Sequence, residues 1–104
     1  MENKTTFKRG DMFYADMPQG VGSEQSGYRP VIILQNDVGN KHSTTVIVAP
    51  LTSVSHTKAK LPTHYTMKAE NGLEKPSVVL LEQIHTIDKQ RLQRYIGRAS
   101  DKAL

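Results

Sequence analysis

Three runs of β-branched and aliphatic residues set what this chain can become: PVIILQN (30–36), TTVIVAPL (44–51) and SVVLLEQIHTI (77–87). Each is about as long as a strand, rich in Val, Ile and Thr, and bounded by Gly, Pro, Asn or Ser. None approaches the ~20 apolar residues of a bilayer-spanning helix. Weaker alternation predicts a first strand at KRGDMFYA (8–15) and another at LPTHYTM (61–67). The last long run reads as one strand or as two meeting at a bend. DVGNKHS (37–43) predicts a hairpin-like connection, and Asn71-Gly72 and Pro76 mark turns.

Helical spacing arises only late. Ile87, Leu92, Tyr95 and Ile96 would share one helix face, with Asp88 as N-cap and Gly97 as stop. Ser100–Leu104 then resembles the opening turn of a further helix, which would make 98–104 a shortened C-terminal helix. The expected class is β-rich α+β: a small, strongly curved sheet or barrel with short helical structure at its end. One domain over residues 1–104, with 1–7 as an N-terminal extension, accounts for the length. Only 37% of residues are hydrophobic, so a homodimer that buries further apolar surface is expected.

Zero cysteines exclude disulfides, thiolate zinc sites and cysteine nucleophiles. The N-terminal segment lacks the apolar stretch of a secretory signal, which predicts a cytoplasmic protein. The net charge of +4 suits an anionic partner. Lys89, Arg91, Arg94, Arg98 and Lys102 crowd the C-terminal end, a pattern that more often marks a solvated helix face than a binding surface.

The feature most suggestive of chemistry is GSEQSGYRPVIILQND (22–37). Asp16–Gly27 forms a loop of about a dozen residues, long for a small domain and of the kind that carries function. Pro30 forces Arg29 into extended geometry before any ligand arrives. Gly22 and Gly27 permit positive φ and close backbone approach. The Arg29 guanidinium offers a planar, permanently charged fork that matches two phosphate oxygens. A weak surface ion pair with Glu24 or Asp37 is the plain alternative.

Of four histidines, His42 and His56 fall in polar connections and His64 and His85 in strands. No spacing links them as metal ligands, so no metal or other cofactor is expected. Alternation sets Gln83, His85 and Ile87 on one side of a strand and Glu82, Ile84 and Thr86 on the other. Tyr28 and Tyr65 are the rings available to stack on a base.

With RGDMFYAD, GSEQSGYRPVIILQND, TVIVAPLTS, KAKLPTH and VVLLEQIHTIDKQRL in this order, the chain resembles the MazF/PemK toxins from about Lys8 to Leu92. The resemblance implies an SH3-like barrel with a C-terminal helix, usually a homodimer, cutting single-stranded mRNA without metal and neutralised by a cognate antitoxin. It implies Arg29 and Thr52 as catalytic. It also places Ser23, Glu24, Gln25, Asn36, Leu61, Glu82 and Gln83 near the RNA, and it departs at His85, where the family commonly carries arginine.

The chemistry suits these residues. Metal-free cleavage sends the substrate's 2′-hydroxyl against the adjacent phosphorus. A cation at the developing phosphorane charge is worth roughly 10²–10³ in rate. Arg29 fits that task, whereas a guanidinium stays protonated at any working pH and is a poor proton carrier. Thr52 can donate to a phosphate oxygen or hold the 2′-hydroxyl in line. Glu24, the one carboxylate between Asp16 and Gly27, is either the base or a ligand for a base edge or backbone N–H. Two other classes fit such a fold: a gyrase poison of the CcdB type, which depends on a C-terminal helix, and a non-catalytic RNA- or peptide-binding module.

Overall fold

The computed structural model of the chain describes residues 6–17, 27–53, 64–67, 72–73 and 75–99, with only the backbone of 64–66. Among these residues seven strands form one antiparallel sheet: β1 (Asp11–Met17), β2 (Gly27–Ile33), β3 (Thr45–Ser53), β4 (His64–Met67), β5 (Ser77–Leu80), β6 (His85–Asp88) and β7 (Leu92–Arg98). One short helix, α1 (Asp37–His42), joins β2 to β3. The strand order is β4-β5-β3-β2-β1-β7, with β6 also paired to β3. No pairing among the described residues joins β4 to β7, so the sheet is open at these edges rather than closed as a barrel.

Both faces of this sheet are buried, which is why its strands read as continuous apolar runs. Phe13, Ala15, Val31, Ile33, Val46, Val48 and Ile87 pack on one face, joined by Phe7, Leu92 and Tyr95. Met12, Ile32, Ala49, Leu51, Met67, Val79 and Ala99 pack on the other. The first face is pinned by Phe13, whose ring centroid lies 5.4 Å from Phe7 and 5.2 Å from Tyr95.

The expected hairpin connection at 37–43 is helical instead. Asn36 caps it, its side-chain oxygen accepting from Gly39 N at 2.8 Å. Asn40 is buried against Gln35, donating to its carbonyl at 2.9 Å and accepting from its amide at 3.1 Å. Six residues are too few to display a helical period, so only turn-forming residue types were visible in the sequence.

The expected helix across Ile87–Gly97 is overturned. Asp88 does cap, accepting from Gln90 N at 2.8 Å, but only a three-residue 3-10 turn, Lys89–Arg91. The chain then extends as β7 along β1, with Leu92 opposite Ala15 and Tyr95 opposite Phe13. Two register shifts insert bulges into this pairing. A bulge lengthens the same-face spacing on one strand from two residues to three, which imitates helical periodicity. The basic residues of this stretch therefore do not share a helix face: Arg91 donates to the Asp16 carbonyl at 3.1 Å, and Arg94 and Arg98 stand on β7. Residues 100–104 lie outside the described residues.

The run 77–87 is two strands separated by a 3-10 turn, Leu81–Gln83. Three steps along β3 from Val48 to Leu51 match six along the partner from His85 to Val79. Pro50 supplies the reason. Ile47 O faces β2, accepting from Leu34 N, and Thr44 O faces the opposite edge, accepting from Lys89 N. Alternation therefore aims the Pro50 nitrogen at the β5–β6 edge, where it has no hydrogen to donate. The turn displaces Glu82 and Gln83 there, and burial still alternates as expected, with Gln83, His85 and Ile87 the more buried and Glu82, Ile84 and Thr86 exposed.

Gly72 bears on stability directly. It adopts φ +95°, and a Cβ there would lie 2.0 Å from the Ile96 carbonyl oxygen of β7. Gly72→Ala is expected to cost about 2–4 kcal/mol through combined strain and overlap. Urea denaturation measures it, and an unchanged midpoint would contradict this packing.

Candidate active site

Arg29 lies on β2 opposite Ala15 of β1. Two residues before it Gly27 adopts φ +81°, opening the strand in a conformation that L side chains avoid. The β2–β3 ladder runs through Ile33↔Val48, Ile32↔Ala49 and Val31↔Pro50. Continuing that register by two residues sets Arg29 across from Thr52. Beyond Pro50, however, β3 turns its pairing to β5, with Thr52 opposite Val78. The two strands therefore present Arg29 and Thr52 where their mutual ladder has ended. By alternation both share the face of Val31 and Val48, half-buried at the margin of that core.

Glu82 and Gln83 occupy the 3-10 turn beside the same stretch of β3, Glu82 exposed and Gln83 half-buried. His85 follows on β6 opposite Val48, and its Nε2 is buried with no hydrogen-bond partner in the structure. Asn36 is not part of this grouping. It lies seven residues along from Arg29, past the far end of β2, at most roughly 23 Å away at strand spacing. Its side-chain oxygen holds the α1 cap, leaving the amide nitrogen as a donor. Ser23, Glu24, Gln25, Leu61 and the side chain of Tyr65 lie outside the described residues.

Tyr28 is exposed and stacks on Tyr14, with ring centroids 5.3 Å apart and planes 9° apart. Alternation places it on the face opposite Arg29. On that same face a recess of about 370 Å³ is lined by Tyr14, Pro30, Ser53, Lys75, Ser77 and Arg94, among others. Sequence reasoning did not single out Lys75, and it took Arg94 as part of a helix face. The signal for Arg94 was its place opposite Tyr14, which becomes legible only once β7 is known to be a strand.

Among the described residues no three His, Asp or Glu side chains stand together as a metal site. Among the described residues, Asp37 has a lowered pKa. It accepts from Arg9 N at 2.8 Å, and this hydrogen bond holds its pKa below the ordinary 3.8.

Comparison with known proteins gives a consistent result. Residues 8–104 match the profile of the family described as PemK-like, MazF-like toxin of type II toxin–antitoxin system. The chain is 53% identical over 98 residues to the Endoribonuclease EndoA of Bacillus subtilis, covering 93% of this chain and 84% of that protein. It superposes on the Mycobacterium tuberculosis toxin MazF-mt6 with a TM-score of 0.71 and 33% identity, covering 89% of this chain and 83% of that one. A mycobacterial endoribonuclease in complex with its cognate antitoxin shares the fold, with a TM-score of 0.73, 24% identity, and coverage of 94% and 84%.

The α1 end of β2 yields a prediction of its own. Asn36→Ala is expected to cost about 1 kcal/mol through loss of the cap, with Asn36→Ser recovering most of it. Because the Asp37 pKa is depressed on folding, its contribution is present above 3.8 and is lost as pH falls through the lower folded value. Denaturation from neutral to acid pH should show that loss, and Asp37→Asn should remove it.

Proposed function

This chain belongs to the family of PemK-like, MazF-like toxins of type II toxin–antitoxin systems, and from that premise we propose that it is an endoribonuclease cutting single-stranded mRNA at a short sequence without a metal ion. The observation that supports the chemistry is the β2–β3 register, which, continued two residues past Val31↔Pro50, brings Arg29 across from Thr52 on the face of the apolar core. The substrate's 2′-oxygen bonds to the adjacent phosphorus, the bond to the 5′-oxygen breaks, and the ends are a 2′,3′-cyclic phosphate and a 5′-hydroxyl. Arg29 offsets the charge of the phosphorane, and its half-buried position strengthens that interaction relative to open water. The Thr52 hydroxyl orients the 2′-hydroxyl or a phosphate oxygen. Glu24 serves as the base or as a contact to the substrate.

Ser23, Gln25, Leu61, Glu82 and Gln83 contact the RNA around the cut. The turn that displaces Glu82 and Gln83 beside Pro50 supports their place near Thr52. Asn36 contacts a more distant nucleotide through its amide nitrogen, at the other end of β2. The sheet, buried on both faces, supports reading the fold as a variant of the SH3-like barrel, and the active form is a homodimer. A cognate antitoxin neutralises the toxin by covering the active face, and the reaction belongs in the bacterial cytoplasm, where mRNA is.

Cleavage of a long single-stranded RNA in EDTA tests this reading. Wild type is expected to give discrete fragments with 5′-hydroxyl ends. Arg29→Ala should lower the rate roughly 10²–10³-fold. Thr52→Val should lower it less, with an unchanged melting temperature. Cleavage that needs Mg²⁺, or an Arg29→Ala variant as fast as wild type, would overturn the assignment.

A further inference from the structure

The recess behind Arg29 and Thr52 has a chemistry that the cleavage reaction does not use. Pro30 and Ser53, each next in sequence to one of the catalytic residues, line it from the opposite face of the sheet. Arg94 projects from β7 opposite Tyr14, and Lys75 enters from the turn before β5. Both are exposed, and neither side chain has a hydrogen-bond or ion-pair partner among the described residues. No described carboxylate lines the recess, while Ser53, Ser77 and Tyr14 contribute hydroxyls. Its volume, about 370 Å³, lies within the range of small-ligand sites.

The aromatic component distinguishes this place from a general basic surface. Tyr14 lines the recess, and Tyr28, 57% exposed, stacks on it nearly in parallel. An exposed ring stacked on a tyrosine that lines a recess with two cations is a combination suited to single-stranded nucleic acid, by stacking on a base and pairing with its phosphates. Water satisfies an exposed lysine or arginine equally well, but it gains nothing from an exposed tyrosine ring.

Resting on the endoribonuclease reading, we infer that this recess is a second nucleotide site, taking a base and its phosphates from the part of the RNA that flanks the segment held at Arg29 and Thr52. The two sites stand back to back across one sheet. Arg29 is two residues from the start of β2, so a strand crossing that end reaches Tyr28 from the catalytic face. The recess then adds affinity for long RNA without taking part in bond breaking.

The test is binding of wild type and the double variant Arg94→Gln/Lys75→Gln to two RNAs. Both carry a 2′-deoxy substitution at the mapped cut. One is confined to the cut sequence, and the other is extended on either side. For the extended RNA the variant should lose about tenfold in affinity at low salt, and its slope of log affinity against log salt should fall by about 1.4, near 0.7 per phosphate contact. The gap to wild type should then narrow roughly sevenfold between about 50 and 200 mM salt. For the short RNA, affinity should stay at the wild-type value, and so should the cleavage rate of its all-ribose form. Tyr28→Ala should weaken the extended RNA at least about fivefold.

Equal losses on both RNAs would reduce the cations to a diffuse field and overturn the site. So would an unchanged salt slope, or loss of binding to an acidic peptide such as polyglutamate with RNA binding intact. A change in sedimentation of the variant would instead make the recess a contact between copies of the chain. If wild type neither binds nor cuts RNA, the functional reading fails and this inference with it. If wild type does both and the variants match it, this inference alone fails.

Discussion

The central strand β3 cannot hydrogen-bond continuously along its outer edge, because Pro50 has no N–H to offer there. An unmet partner in a ladder costs on the order of 1 kcal/mol or more when buried, so the opposing chain is better displaced than left in register. The Leu81–Gln83 turn is that displacement, and it divides one long apolar run into β5 and β6. The inner edge of β3 is unaffected and pairs with β2 as far as Val31↔Pro50. Past that point β3 follows β5, and the space between β2 and β3 holds Arg29 and Thr52 at a core margin. One missing hydrogen thus accounts for the placement of Glu82 and Gln83 and for where the outer ladder breaks.

What the sequence disclosed and what it concealed follow the same physics. Strands with both faces buried announce themselves as uninterrupted Val, Ile and Leu, so β2, β3 and β5 were legible. The bulged strand β7 was not, since Leu92 and Tyr95 keep the spacing of a helix while facing Ala15 and Phe13 across a ladder. Helix α1 was hidden by its brevity, although Asn36 followed by Asp37 was a start signal in plain view. At the site, Pro30 made Arg29 conspicuous by local chemistry alone. Thr52 carries no local signal and rests on family resemblance, because the role proposed for it depends on a register between strands that is not visible before the fold is known.

The two faces of the sheet use positive charge differently. Arg29 is half-buried beside an apolar core, where reduced screening makes a cation effective against charge that forms only in the transition state. Arg94 and Lys75 stand in solvent, where at physiological salt fields decay over about 8 Å. Charges so placed attract and retain a polyanion but cannot discriminate its ground state from its transition state, because they hold both equally. On the proposed reading, rate therefore belongs to the core margin and affinity to the solvated recess. Since the two lie on opposite faces of the same strands, either can change with little disturbance of the other.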